Sequence, residues 1–162
     1  MSVLTYAPDK VMFTVCDYRI TGITDIRVTS PVPAFKVVRG IGGVNTRVYN
    51  PDTSLTIKVE LLQTSMCNDV LSELLFNDRL KNNVRLSVIL KDLRGGSAVQ
   101  SSNAFITQTP DFGYSDELET RSWTIECLDV LITDLKGNAK DLPDLLGNTI
   151  DRVGDFVGGL FS

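Results

Sequence analysis

The sequence predicts a mainly β fold with one flanking α-helix and a second helix at the C-terminus, and three observations carry that expectation. Leu55, Ile57, Val59 and Leu61 alternate with Thr56, Lys58, Glu60 and Leu62, a period of two that puts one strand face in a core and the other mainly in water. The apolar spacing then lengthens to three and four at Val70, Leu71, Leu74 and Leu75, which lines one side of a helix. Further period-two runs lie before and after this unit, separated by glycine- and proline-bearing turns, so sheet dominates.

Taken in order, Met1 to Asp9 reads as an ordered lead-in arm, with Tyr6 and Pro8 opposing a helix. Val11, Phe13 and Val15 alternate with Met12, Thr14 and Cys16, a first strand running toward Ile20. Thr21-Gly22 turns the chain, and Ile23, Ile26 and Val28 return toward Ser30, which predicts a hairpin between these two runs. Pro31 and Pro33 end it. The next segment, about 33–51, carries Phe35, Val37 and Val38, a turn at Gly40-Ile41-Gly42-Gly43, and a returning Val44 to Tyr49 closed by Asn50-Pro51-Asp52. It reads as a projecting hairpin or long loop, and long excursions of this kind usually bind something. Its glycines are turn glycines, because they lack both the G-x-G-x-x-G spacing and a Gly-Lys-Ser/Thr ending.

After the strand from Leu55, a helix is expected over about 65–80. Ser65 can accept from amides of its first turn, and Asp69 complements its dipole. Full burial of its four aliphatic side chains corresponds to about 6–12 kcal/mol of gross apolar stabilisation. Asn82-Asn83 turns the chain into a strand from Arg85 to Lys91, and Lys91 to Gly96 reverses it. Ser97 to Thr107 reads as a strand with a bulge in its polar middle, and Pro110-Asp111 as a turn leading to Phe112. The last strand is placed from Thr120 to Ile132, with Trp123, Ile125, Cys127 and Asp129 on one face. A domain of residues 1–140 is thereby set apart from 141–162, where Leu142, Leu146, Ile150, Val153, Val157 and Leu160 form an amphipathic stripe. That tail helix is expected to dock on its own sheet or on a neighbouring subunit.

Composition excludes several functions. With 162 residues, 43% hydrophobic and 22% charged, the chain can bury one domain's core. A formal charge of −4 opposes broad adhesion to phosphate backbones. The start of the chain has no basic segment followed by an apolar core, and no window has the run of about 18 apolar residues that a spanning helix needs, so a soluble protein with no membrane partner is expected. Cys16, Cys67 and Cys127 are odd in number and widely spaced, which predicts free buried thiols in a reducing compartment. The absence of histidine removes the commonest general base and zinc ligand. Asp111, Asp116, Glu117 and Glu119 read as a solvated loop, and Asp129, placed on the Trp123 face, is the one acid whose burial is worth testing, a structural carboxylate being the plainer reading. No catalytic residue, cofactor or metal site is expected, and the protein is not expected to be an enzyme.

The order of the segments is more informative than any single motif. The early strands, the Gly/Pro-rich excursion, the run from Asn50 through Leu55-Thr56-Ile57-Lys58-Val59 to Ser65, and Asn68-Asp69-Val70-Leu71-Ser72-Glu73-Leu74-Leu75 together resemble the tail tube proteins of contractile-tailed bacteriophages. Val88 to Gly95, Ala104 to Phe112 with its Pro110-Asp111, and Arg121-Ser122-Trp123-Thr124-Ile125 follow in the same order. The resemblance covers roughly Val11 to Val130 and leaves Leu142 to Ser162 outside.

It implies a small β-barrel or two-sheet sandwich with a flanking helix, six copies closing into a ring, and rings stacking into a tube inside a contractile sheath. Phe35, Arg39, Arg47 and Tyr49 are then the candidate contacts between subunits or rings, the two arginines pairing with acids, and the helix faces outward to the sheath. Thr56, Lys58 and Glu60 are candidates to line a channel through which DNA passes without specific binding. The implied partners are further copies of the chain, a sheath protein, a baseplate initiator and a tape measure protein, in a virion assembled in the host cytoplasm. Two other readings stay open: a tube subunit of a type VI secretion or phage-tail-like injection machine, and a ligand-binding β-barrel.

Overall fold

A computed structural model describes residues 8–137. The arm before Pro8 and the stripe from Leu142 to Leu160 lie outside the described residues. After a short 3-10 turn at Pro8–Lys10, the chain forms β1 (Val11–Val15), β2 (Tyr18–Arg19), β3 (Ile23–Thr29), β4 (Phe35–Arg39), β5 (Asn45–Tyr49) and β6 (Leu55–Leu62). It continues as α1 (Cys67–Lys81), β7 (Leu86–Asp92), β8 (Ala98–Ile106), β9 (Thr120–Cys127) and β10 (Val130–Asp134). One antiparallel sheet runs in the order β2-β1-β7-β8-β9-β6-β3, with β10 also paired to β8, while β4 and β5 pair only with each other.

The expected hairpin between the first two runs does not form. Cys16 and Asp17 adopt left-handed backbone conformations, φ 49° and 68°, and reverse the chain before Ile20. Strand β1 therefore pairs with β2 and β7, and β3 goes to the far end of the sheet beside β6. Folding the sheet depends on β8. Its residues Ala98 to Ser101 pair with β7 and β10, whereas Ala104 to Ile106 pair with β9. Between them Leu86 faces Ala104 and Val88 faces Ser101, so β8 carries the extra residue of a bulge in its polar middle, as its sequence predicts.

The two limbs of the sheet share one core. Phe13 and Val15 of β1, Leu55, Ile57, Val59 and Leu61 of β6, Leu86 and Val88 of β7, and Trp123, Ile125 and Cys127 of β9 are all buried in it. The alternation read in the sequence is thus realised with the expected faces. The sheet ends at β2 and β3 without closing, so the described residues form a folded-over open sheet of the sandwich kind and not a closed barrel.

Helix α1 covers this core through Leu71 and Leu75, which are buried, while Val70 and Leu74 are half-buried. The two half-buried side chains contribute less than the full-burial figure. The N-cap is Met66, with no side-chain capping bond, and the Cys67 amide donates to Ser65 Oγ at 3.3 Å. At the other end Asn82 closes the helix in the left-handed conformation, its amide bonding the Asp78 carbonyl. A second correction concerns the last strand. The chain leaves β9 after Cys127, turns at exposed Leu128 and Asp129, and starts β10 against β8. Asp129 is consequently exposed and accepts from Asn103 Nδ2 at 3.0 Å, instead of sharing the Trp123 face.

Candidate functional site

The excursion between β3 and β6 is a free-standing hairpin. Gly40 and Gly43 close its turn, with Gly43 at φ +83°, and Gly40 donates its amide to the Val44 carbonyl at 2.9 Å. Every residue of β4 and β5 is exposed, including Val37 at 60% and Tyr49 at 62%. An isolated two-stranded hairpin is at best marginally stable in water, and this one turns apolar side chains outward on both faces.

Phe35 and Tyr49 are direct cross-strand partners with ring centroids 5.4 Å apart. The Arg47 guanidinium carbon lies 4.3 Å from the Phe35 ring centroid, and Val37 faces Arg47 across the pair. The geometry therefore gathers Phe35, Arg47 and Tyr49 into one cluster near the base, while Arg39 stands beside Asn45 next to the tip. Neither arginine forms an ion pair with a carboxylate among the described residues.

A second surface is the polar face of β3, β6 and β9. Register sets Thr29, Thr56 and Glu126 in one row, Arg27, Lys58 and Thr124 in the next, and Asp25, Glu60 and Ser122 in a third. Thr56 Oγ1 donates to both carboxylate oxygens of Glu126, at 3.0 and 3.1 Å, and Arg27 Nε lies 3.4 Å from Asp25 Oδ2. Thr56, Lys58 and Glu60 lie on the face opposite buried Leu55, Ile57, Val59 and Leu61, as their alternation predicts. The sequence reading missed Asp25, Arg27 and Glu126 as members of this face. Asp25 and Arg27 join it because β3 pairs with β6 and not with β1, and Glu126 because β9 lies on the other side of β6.

Among the described residues no group of three or more histidine, cysteine or acidic side chains could hold a metal ion. Asp111, Asp116, Glu117 and Glu119 are exposed in the loop before β9, with Glu119 accepting from the Ser115 hydroxyl at 3.1 Å. All three cysteines are free, with Cys67 and Cys127 buried and Cys16 half-buried. Burial pushes the Cys127 thiol up to about 11, with Glu126 adding to the rise and Ser101 opposing it. No helix among the described residues is long and apolar enough to cross a membrane.

No protein-family model matches the chain. A structural protein, ORF10, of Pseudomonas phage KPP10 is 31% identical over 132 residues, covering 75% of this chain and 76% of that protein. The chain belongs to this family of phage structural proteins. Its fold is that of tail-tube-like proteins. A chain of the sheath-tube complex of an extracellular contractile injection system superimposes with a TM-score of 0.56 at 16% identity, over 81% of this chain and 93% of that one. A chain from the virion of a gene transfer agent gives 0.57 at 11% identity, over 80% and 100%. A third, from the tube-terminating cap of the anti-feeding prophage, gives 0.52 at 17%, over 83% and 95%.

Proposed function

We propose that the protein is the subunit of a phage tail tube, six copies forming a ring and stacked rings enclosing a channel for DNA within a contractile sheath. The observation that carries this reading is the limb β3-β6-β9-β8, which has an apolar core face, a polar opposite face and, among the described residues, an unpaired edge at β3. A monomer with such an edge is exposed to unwanted pairing, and joining limbs from neighbouring copies removes it. Four strands from each of six copies make a barrel of about two dozen strands, too wide for side chains to fill, so it encloses water.

Thr56, Lys58 and Glu60 then line the channel, together with Asp25, Arg27 and Glu126. The face carries three acids against two bases, Arg27 and Lys58. Few phosphates exchange their counterions for protein cations on such a wall, so DNA passes without sticking. The hairpin carries Phe35, Arg39, Arg47 and Tyr49 onto the next subunit or ring, and α1 faces the sheath. A baseplate initiator starts the tube and a tape measure protein sets its length.

A second reading, the tube of an injection machine, is favoured by the contractile injection system and anti-feeding prophage chains among the similar structures. It changes the cargo and leaves the physics of the wall the same. The ligand-binding barrel loses ground, because among the described residues the sheet is open and does not close into a barrel.

Electron microscopy of the purified protein across a concentration series, with solution mass in parallel, tests the proposal. Six-fold rings or hollow tubes are the expected result. A monomer at every concentration, even with a baseplate initiator added, would overturn it.

A further inference from the structure

The two ends of β6 carry segments of opposite charge. At one end the hairpin leaves from Thr29 and returns to Leu55, and residues 31–50 hold Lys36, Arg39 and Arg47 with no acid. At the other end Leu62 pairs with Thr120, and the loop 107–119 that leads into Thr120 holds Asp111, Asp116, Glu117 and Glu119 with no base. The Gln63 amide fixes that loop to the end of β6 by donating to the Glu119 carbonyl at 3.1 Å. The eight residues of β6 keep the two segments about 23 Å apart at the usual strand rise. All of these charged side chains are exposed, and none is in an ion pair among the described residues.

The acidic loop also presents apolar surface. Phe112, Tyr114 and Leu118 are exposed, and the two rings meet edge to face with centroids 6.4 Å apart. Both rings line an open cavity of about 200 Å³ between the loop and the first turns of α1, together with Asp69 and Trp123. The hairpin has the matching features: Ile41 and Val44 stand fully out at its tip, flanked by its three bases.

We propose that loop 107–119 is the seat for the hairpin of a second copy, its acids pairing with Lys36, Arg39 and Arg47 and its aromatic side chains covering Ile41 and Val44. Three bases on one segment meet four acids on the other, and both segments come from one chain, so the partner is present in equal number wherever the protein is. Within a single chain they lie at opposite ends of β6, and the complementarity is left for a neighbour. A contact between two different patches of the same chain repeats head to tail and does not close on itself, which is how an open stack grows. Its placement between rings rests on the tube reading above: barrel strands run along the barrel axis with a tilt, so the ends of β6 face the rings above and below.

A photo-crosslinking amino acid in place of Ile41, in a mixture of isotope-labelled and unlabelled chains imaged in parallel by electron microscopy, tests this. Cross-links from position 41 to residues 107–119 of another chain are expected, and they support the contact even where the particles are not tubes. Tubes in which position 41 cross-links elsewhere overturn the contact and leave the tube reading standing. Monomers without any cross-link between chains overturn both. Charge exchange gives a second readout. Asp116→Lys with Glu117→Lys is expected to raise the concentration needed for assembly at least about tenfold at low salt, and adding Arg39→Glu and Arg47→Glu to the same chain is expected to return it to within about threefold of wild type. A combined variant that assembles no better than the loop variant would overturn the pairing.

Discussion

Trp123 Nε1 donates to Asn68 Oδ1 at 2.9 Å, a buried bond joining β9 to the first turn of α1. Asn68 spends its own amide hydrogens on the Leu62 and Ser65 carbonyls, at 2.9 and 3.1 Å. One side chain therefore ties together the end of β6, the turn after it, the helix start and the largest aromatic of the core. Replacing Asn68 by leucine orphans the indole N–H, worth about 1–3 kcal/mol when buried, whereas the Leu62 and Ser65 carbonyls each lose one of two donors and keep the backbone amides of Ser65 and Asn68. Urea unfolding of the variant is expected to show a loss of about 1–3 kcal/mol, and a loss below about 1 kcal/mol would mean that water takes over the indole N–H.

Gly22 holds a second junction. It adopts φ +76°, its carbonyl accepts from the Leu62 amide at 2.9 Å, and an added Cβ would lie 2.9 Å from Ser65 Cβ. Gly22→Ala meets both backbone strain and a clash, and is expected to destabilise the fold by about 1–3 kcal/mol. The measurement is the thermal midpoint of the variant beside that of Gly43→Ala, which has an open surrounding and suffers strain alone.

Cys127 gives a pH signature. Its folded thiol is raised to about 11 from an ordinary 9.0, chiefly by burial, so the native state holds its proton where the unfolded chain has released it. Stability from this group is intact below pH 9 and declines as pH rises from there to about 11. The unfolding midpoint is expected to fall across that window more steeply than in Cys127→Ala. Parallel slopes for the two proteins would remove the effect.

The hairpin should matter to assembly and not to the fold. Arg39→Glu with Arg47→Glu changes exposed side chains, of which Arg47 loses only its contact with Phe35, worth about 0.5–1 kcal/mol. The expected outcome is an unfolding midpoint near wild type together with a rise of at least about tenfold in the concentration needed for assembly, read by light scattering. Tubes formed equally well would take the two arginines out of the interface.

Reversing the sign of the polar sheet face should make the channel hold DNA. Glu60→Lys with Glu126→Lys turns three acids and two bases into one acid and four bases. Assembled tubes of this variant are expected to retain DNA at low salt and release it as salt rises, whereas wild-type tubes do not bind. Variant tubes that ignore DNA would show that these positions face elsewhere.

What the sequence determined by itself was local. The period of two in β6 set which of its side chains are buried, the lengthened period set α1, and Gly40 to Gly43 set the hairpin turn, because each rests on contacts within a few residues. The bulge in β8 was legible for the same reason, from polar residues interrupting an apolar alternation. Partners of strands were decided only in the tertiary structure. Nothing in β1 or β3 records that left-handed Cys16 and Asp17 send them to different limbs, or that Leu128 and Asp129 break the last strand so that β10 crosses to β8. Strand pairing depends on long-range burial, and a half-buried strand fits several neighbours equally well until the core closes. That choice put Asp25 and Arg27 beside Glu60 and Lys58 and buried Asn68 under Trp123.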